Sequence, residues 1–272
     1  MVRIFSILLL SGILFQSIYA DMIDSKIINL IGESSYNRNK NYINKLFVNK
    51  NSFYKNGYLN MYKVISLLQN NGLLNLKFGK PQELNVIFIS QTSPIFLIKS
   101  INRALSHMGY SYWTPSEVVY EEETSKLKIS LITEHIIDPI LLLNELSKSG
   151  FALVDINQIS NVEWEYNLAL INSKMPNSTF VAKGNSLNIY EVSGEYWIEV
   201  GNSGRLEISS LNNKSFNPKI IFFDRNLNII DIQELSRRSN ANVNIVDNTK
   251  FIQIKDSIFA GNIKNGINVR LR

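Results

Sequence analysis

Cysteine is absent from this 272-residue chain, and histidine occurs only twice, as His107 and His135. Without cysteine there are no disulfides, no thiol chemistry, no thiolate metal sites and no lipoprotein anchor, which needs a cysteine at the new N-terminus. The two histidines have no second histidine or acid at a metal-ligand spacing, so zinc hydrolysis and Ser-His-Asp chemistry both lack parts. His107 is expected near a helix end, where partial positive charge is favoured. No apolar run approaches the ~20 residues that a membrane-spanning helix needs. The longest, Ile4 to Phe15, is about 12 residues and is broken by Ser6, Ser11 and Gly12.

That run has a meaning of its own. It follows Met1-Val2-Arg3, a short positive start, and leads to Gln16-Ser17-Ile18-Tyr19-Ala20, which ends on a small residue before Asp21. Charged, apolar and small-residue segments in that order make a secretory signal peptide. The expectation is a signal at residues 1–20, a cut after Ala20 and an exported chain with no transmembrane span thereafter. An uncleaved anchor is the alternative, because Ile18 fits poorly two residues before the cut. Heavy use of Asn, Ile, Lys and Ser points to an AT-rich bacterial genome, and so to the periplasm.

Charge is distributed unevenly. Residues 21–80 hold nine Lys/Arg and three Asp/Glu, residues 81–176 six against eleven, and residues 177–272 twelve against nine. A basic head, an acidic middle and a near-balanced tail argue for segments with different surfaces. A basic head suits an acidic protein, anionic lipid or wall polymer, whereas export argues against nucleic acid.

Residues 21–80 read as a helical N-terminal region. Asp24-Ser25 would cap a short helix ended by Gly32, the polar stretch Ser34–Lys40 reads as a linker, and Asn60 would cap a helix through Met61, Val64, Ile65, Leu67 and Leu68 that stops at Gly72. Residues 81–175 alternate between the two periods. Strands are expected at Leu84–Ser90, Tyr110–Trp113, Val118–Glu121, Lys126–Thr133, Phe151–Ile156 and Val162–Ile171, and helices start at Pro94 and Pro139 and end at Gly109 and Gly150. Two overlapping halves repeat the same order. The prediction is a ferredoxin-like β-α-β-β-α-β domain with an extra strand. After residues 173–179, a candidate boundary, nine short strands come at regular spacing between Gly/Asn/Ser turns, which predicts a β-sandwich over residues 177–272. The fold class is therefore α+β: a short helical region, a ferredoxin-like domain and an all-β sandwich.

No cofactor, metal or catalytic constellation is read from the chain. Glu121-Glu122-Glu123 reads as a solvated hairpin turn, Glu163 and Glu165 as the wet face of a strand whose dry face holds Trp164, and Asp224–Asn228 as a polar turn lacking the glycine and closing Glu of a calcium loop. Trp164, Tyr196 and Trp197 are candidate contacts for a glycan or partner if they stand exposed; buried, they fill cores.

In element order, Leu127–Ile171 resembles the ferredoxin-like periplasmic modules of pilus and type II secretion assembly proteins. The chain also resembles uncharacterised periplasmic proteins of campylobacter-type bacteria, flagellar-motor accessories among them. These resemblances imply a non-enzymatic scaffold protein of an envelope machine, with other periplasmic or envelope proteins as partners. A glycan or peptidoglycan binder using the sandwich is the second expectation, and an enzyme the third.

Overall fold

The computed structural model describes residues 22–175, 177–201 and 203–272. The expected signal and its cut after Ala20 lie outside the described residues. The chain divides into two compact units, Met1–Ile171 and Asn172–Arg272.

Residues 22–31 form helix α1, which buries Ile23, Ile27 and Leu30 at three-to-four spacing. Asp24 lies inside this helix and does not cap it; its carboxylate takes an ion pair from Lys50 at 2.7 Å. Helix α2 (Glu33–Leu46) runs through the polar stretch expected to be a linker. Tyr36, Ile43 and Phe47 are its buried points, and this thin apolar stripe, packed against the rest of the unit, outweighs the poor helix propensity of the Asn and Ser residues. A 3₁₀ turn at Lys50–Phe53 and a small hairpin of β1 (Tyr54–Lys55) and β2 (Tyr58–Leu59) lead to α3 (Met61–Asn70). There Asn60 accepts the Lys63 N–H, as the spacing predicts.

The sheet of this unit holds β3 (Lys77–Ser90), β4 (Thr114–Glu121), β5 (Thr124–His135), β6 (Phe151–Ser160) and β7 (Glu163–Leu170) in the order β4-β5-β3-β7-β6. Helices α4 (Pro94–His107) and α5 (Pro139–Ser147) connect β3 to β4 and β5 to β6. Each starts on a capped proline: Ser93 accepts from Phe96, and Asp138 from Ile140 and Leu141. Each stops before a glycine, Gly109 at φ 87° and Gly150 at φ 91°, where a left-handed residue ends a helix without steric cost. The element order is the expected β-α-β-β-α-β with one more strand. That strand, β7, inserts between β3 and β6 and runs parallel to β3. One face of the sheet buries Leu84, Val86 and Phe88 with Leu127, Ile129, Trp164 and Tyr166. The other is mixed: Ile87 and Ile132 share it with Lys128, bonded to Glu163 at 2.7 Å, and Ser130, bonded to Asn85 at 2.8 Å. Tyr110–Trp113 form no strand: Tyr112 is 91% exposed, and pairing with β5 begins only at Thr114.

The second unit is a sandwich of two sheets. One has the order β13-β12-β15-β10-β8 and the other β14-β11-β16-β9. Its strands are β8 (Thr179–Val181), β9 (Ser186–Ile189), β10 (Glu195–Val200), β11 (Arg205–Ser210), β12 (Pro218–Phe223), β13 (Ile229–Glu234), β14 (Asn240–Asn244), β15 (Phe251–Asp256) and β16 (Ile267–Leu271). All nine expected strands are present; β14 starts three residues early. Inward residues of both sheets, among them Tyr196, Ile198, Leu206, Ile208, Phe222, Ile254 and Val269, form one apolar core. Gly204 sits at a point of close approach, where a Cβ would lie 2.3 Å from the Arg272 carbonyl oxygen.

Candidate binding groove

Strand β6 lies at the edge of its sheet, and its two halves are treated differently. Along residues 155–158 it is covered by α1. Lys26 reaches Asp155 at 2.6 Å and Asn157 at 2.7 Å. The Asn29 side-chain amide imitates a neighbouring strand: it donates to the Gln158 carbonyl at 3.2 Å and accepts the Gln158 N–H at 3.0 Å. Residues 151–154 have no strand on their outer side. The register slips between Leu153 and Asp155, so Val154 is a bulged residue. Bulges break the ladder and re-aim a side chain; Val154 lines a groove there and is 55% exposed.

That groove has a volume of about 1030 Å³, at the upper end of ligand-site volumes. Met22, Tyr58, Leu59, Leu153, Val154 and Ile171 make most of it apolar, and Lys26 and Asp155 stand at its polar margin. Met22, Tyr58 and Ile171 are all exposed. A soluble surface rarely leaves so many large apolar groups in one place without use. The sequence offered no signal for it, because its walls come from α1, the β1–β2 hairpin and the distant β6, and β6 is irregular at that point.

The aromatic candidates are placed otherwise. Trp164 and Tyr196 are each 1% exposed, so neither forms part of a contact surface. Both point inward because they occupy the dry phase of alternating strands, β7 and β10. The Trp164 Nε1–H is buried without a partner, while the Tyr196 hydroxyl donates to the Ile263 carbonyl. Trp197, on the opposite phase, is half-buried. Its ring lies 5.1 Å from that of Phe223, and its Nε1–H donates to Glu195 at 2.8 Å. Trp164 belongs to the first unit, and Tyr196 and Trp197 face opposite sides of one sheet of the second. No aromatic platform for a sugar ring is built from them.

Among the ionisable candidates, His107, Glu163 and Asp224 are engaged locally. His107 Nδ1 lies 3.0 Å from Glu145 Oε2. A hydrogen bond from Lys148 is the main reason the Glu145 carboxyl sits below its ordinary value, with His107 adding to it against the effect of burial. Burial pushes the Tyr166 phenol far above its ordinary range, so it stays protonated. Asp224 spends its carboxylate on its own turn, accepting from the Asn226 and Asn228 N–H groups at 2.7 and 2.9 Å, and Leu227 takes φ 61°. This is an Asx-type turn, and it leaves no open ligand cage. Among the described residues no three His, Asp or Glu side chains are grouped to hold a metal, and no helix is long and apolar enough to cross a membrane.

No protein-family model matches the chain, and no curated protein matches it. Among solved structures it is similar to the pre-peptidase C-terminal domain of collagenase from Bacillus anthracis, at 10% identity. That likeness covers 37% of this chain and 100% of that one with a TM-score of 0.25, too slight to carry an argument.

Proposed function

We propose that this is an exported, non-enzymatic interaction protein: a scaffold piece of a bacterial envelope machine of the flagellar-motor or secretion class. In this reading it receives an apolar segment of a partner protein in the groove beside β6. The observation that carries the proposal is that groove, an open apolar trough at a sheet edge whose neighbouring stretch is sealed by α1. The leader-like order of residues 1–20 supports export. The bulge at Val154 favours recognition through side chains over addition of a regular strand, because it interrupts the ladder that a new strand would extend.

Binding through a surface spreads its free energy over a central apolar cluster, whereas catalysis concentrates it in one or two ionisable groups. Complementation of a deletion strain separates the two. Single changes at His107, His135, Glu163 or Asp224 are expected to leave the phenotype near wild type. Val154→Arg is expected to abolish it at unchanged fold and abundance, and a photo-crosslinker at Val154 should lose its partner band when Ile171 is changed to Asp. A histidine or carboxylate change that erased function in a folded protein would overturn the proposal and point to an enzyme.

A further inference from the structure

The outer face of the four-stranded sheet of the sandwich is polar along the strands, with Tyr190 and Leu211 flanking Gly266 at one end. On β14, β11, β16 and β9, strand alternation sends Ala241, Val243, Leu206, Ile208, Val269 and Leu271 into the core. The residues between them form three rows across the sheet. Asn242, Glu207, Arg270 and Ser186 are cross-strand neighbours in the middle row. Asn240, Ser209, Asn268 and Asn188 form the row beside it. On the other side Asn244 is opposite Arg205, which exchanges backbone hydrogen bonds of 2.9 Å with Arg272. A cleft of about 340 Å³ follows the first two rows.

We propose that this face binds a carboxylate-bearing polysaccharide. Charge complementarity sets the sign of the ligand. Three arginines meet one carboxylate; Glu207 pairs with Arg272 at 3.0 Å, while Arg205 and Arg270 have no ion-pair partner among the described residues. The kind of polymer follows from the other side chains. Amides and hydroxyls both donate and accept, which matches the hydroxyls of a sugar chain. A protein interface would be centred on aromatic or aliphatic anchors, and a single-stranded nucleic acid would need stacking platforms; the two rows lining the cleft have neither, and Tyr190 and Leu211 flank Gly266 beyond the cleft lining. The guanidinium groups supply paired donors suited to carboxylates. The four strands, spaced at ~4.8 Å, set the members of each row side by side along the cleft. The proposal is independent of the groove in the first unit and stands or falls separately from it.

The test is affinity electrophoresis of the full-length protein in gels containing polygalacturonate, its methyl ester or polyglutamate. Retardation by polygalacturonate alone is expected. Arg205→Ala with Arg270→Ala should weaken it at least tenfold without a change in melting temperature. Lys55→Ala with Lys80→Ala removes the same charge from the first unit and should leave it unchanged. Asn242→Ala, an exposed change that threatens no core, should weaken it several-fold and keeps the test open if the double arginine variant does not fold. Equal retardation by polyglutamate would reduce the face to a general polyanion surface. Equal retardation by the methyl ester would remove the role of charge. Absent retardation, or retardation that survives the arginine and asparagine changes, would likewise overturn the proposal.

Discussion

At the scale of single residues, the largest fully buried side chains are aromatic, Trp164, Tyr166 and Tyr196 among them. Trp164 is closed in between the sheet and its helices, and truncating such a residue costs about 3–5 kcal/mol. Its indole N–H is buried without a partner, a cost already borne in the native state. Trp164→Ala is therefore expected to lower the urea midpoint strongly, and Trp164→Phe much less, because phenylalanine keeps most of the ring volume and removes the orphaned donor. Equal losses for the two would refute this account. Asp256 is the residue with the clearest pH consequence. Burial raises its pKa, but the Asn262 amide and the backbone N–H groups of Phe259, Ile258 and Asn217 outweigh burial and hold the carboxyl below its ordinary value. A depressed folded value means that the contribution is complete above the unfolded value, near ~3.9, and is lost as pH falls through the folded one. Stability should thus drop on acidification below about pH 4, and Asp256→Asn should be less stable at neutral pH with a flatter acid limb. Denaturant titrations at a series of pH values measure both.

At the scale of elements, the two hairpins of the first sheet show how turn chemistry and pairing compete. Between β4 and β5, Glu122 and Glu123 both take positive φ, 48° and 60°, the backbone of a type I′ turn that Asn-Gly adopts at least cost. The register on either side is fixed by the alternation of Leu127, Ile129 and Leu131 into the core, so the turn residues accept the strain. Glu122→Asn with Glu123→Gly is expected to stabilise the protein by about 0.5–1 kcal/mol; a lower melting temperature would show that the acidic pair has contacts outweighing its backbone cost. On the other side of the sheet, β6 is irregular at two points, and that irregularity opens the groove.

At the scale of the molecule, each unit has its own core. The sandwich closes on Tyr196, Phe222, Ile254 and their neighbours without needing residues before Asn172 to complete it. Residues 172–272 expressed alone are expected to unfold in a single cooperative transition by circular dichroism and denaturant titration. Gradual, non-cooperative melting of that piece would mean that its stability depends on the first unit.

The local sequence determined most of the elements. Alternation in most strands, an apolar run in β12, and Gly, Asn and Ser turns between them mark the nine sandwich strands, because side chains on a strand alternate between faces and turns need residues that tolerate special backbone. Capped prolines and left-handed glycines mark α4 and α5 because helix ends leave unpaired backbone groups close by in sequence. Tertiary structure decided the rest. The stretch Ser34–Lys40 is helical because Tyr36, Ile43 and Phe47 find a core, which its polar composition does not announce. The alternation of Tyr196 and Trp197 shows that they face opposite ways, but only packing of the second sheet decides that Tyr196 is the buried one. The groove joins α1, the β1–β2 hairpin and β6, and the arginine-bearing face joins four strands out of sequence order. Such surfaces arise from chain closures over tens to more than a hundred residues, whose geometry is set by the packing of whole elements and leaves no local periodicity to read.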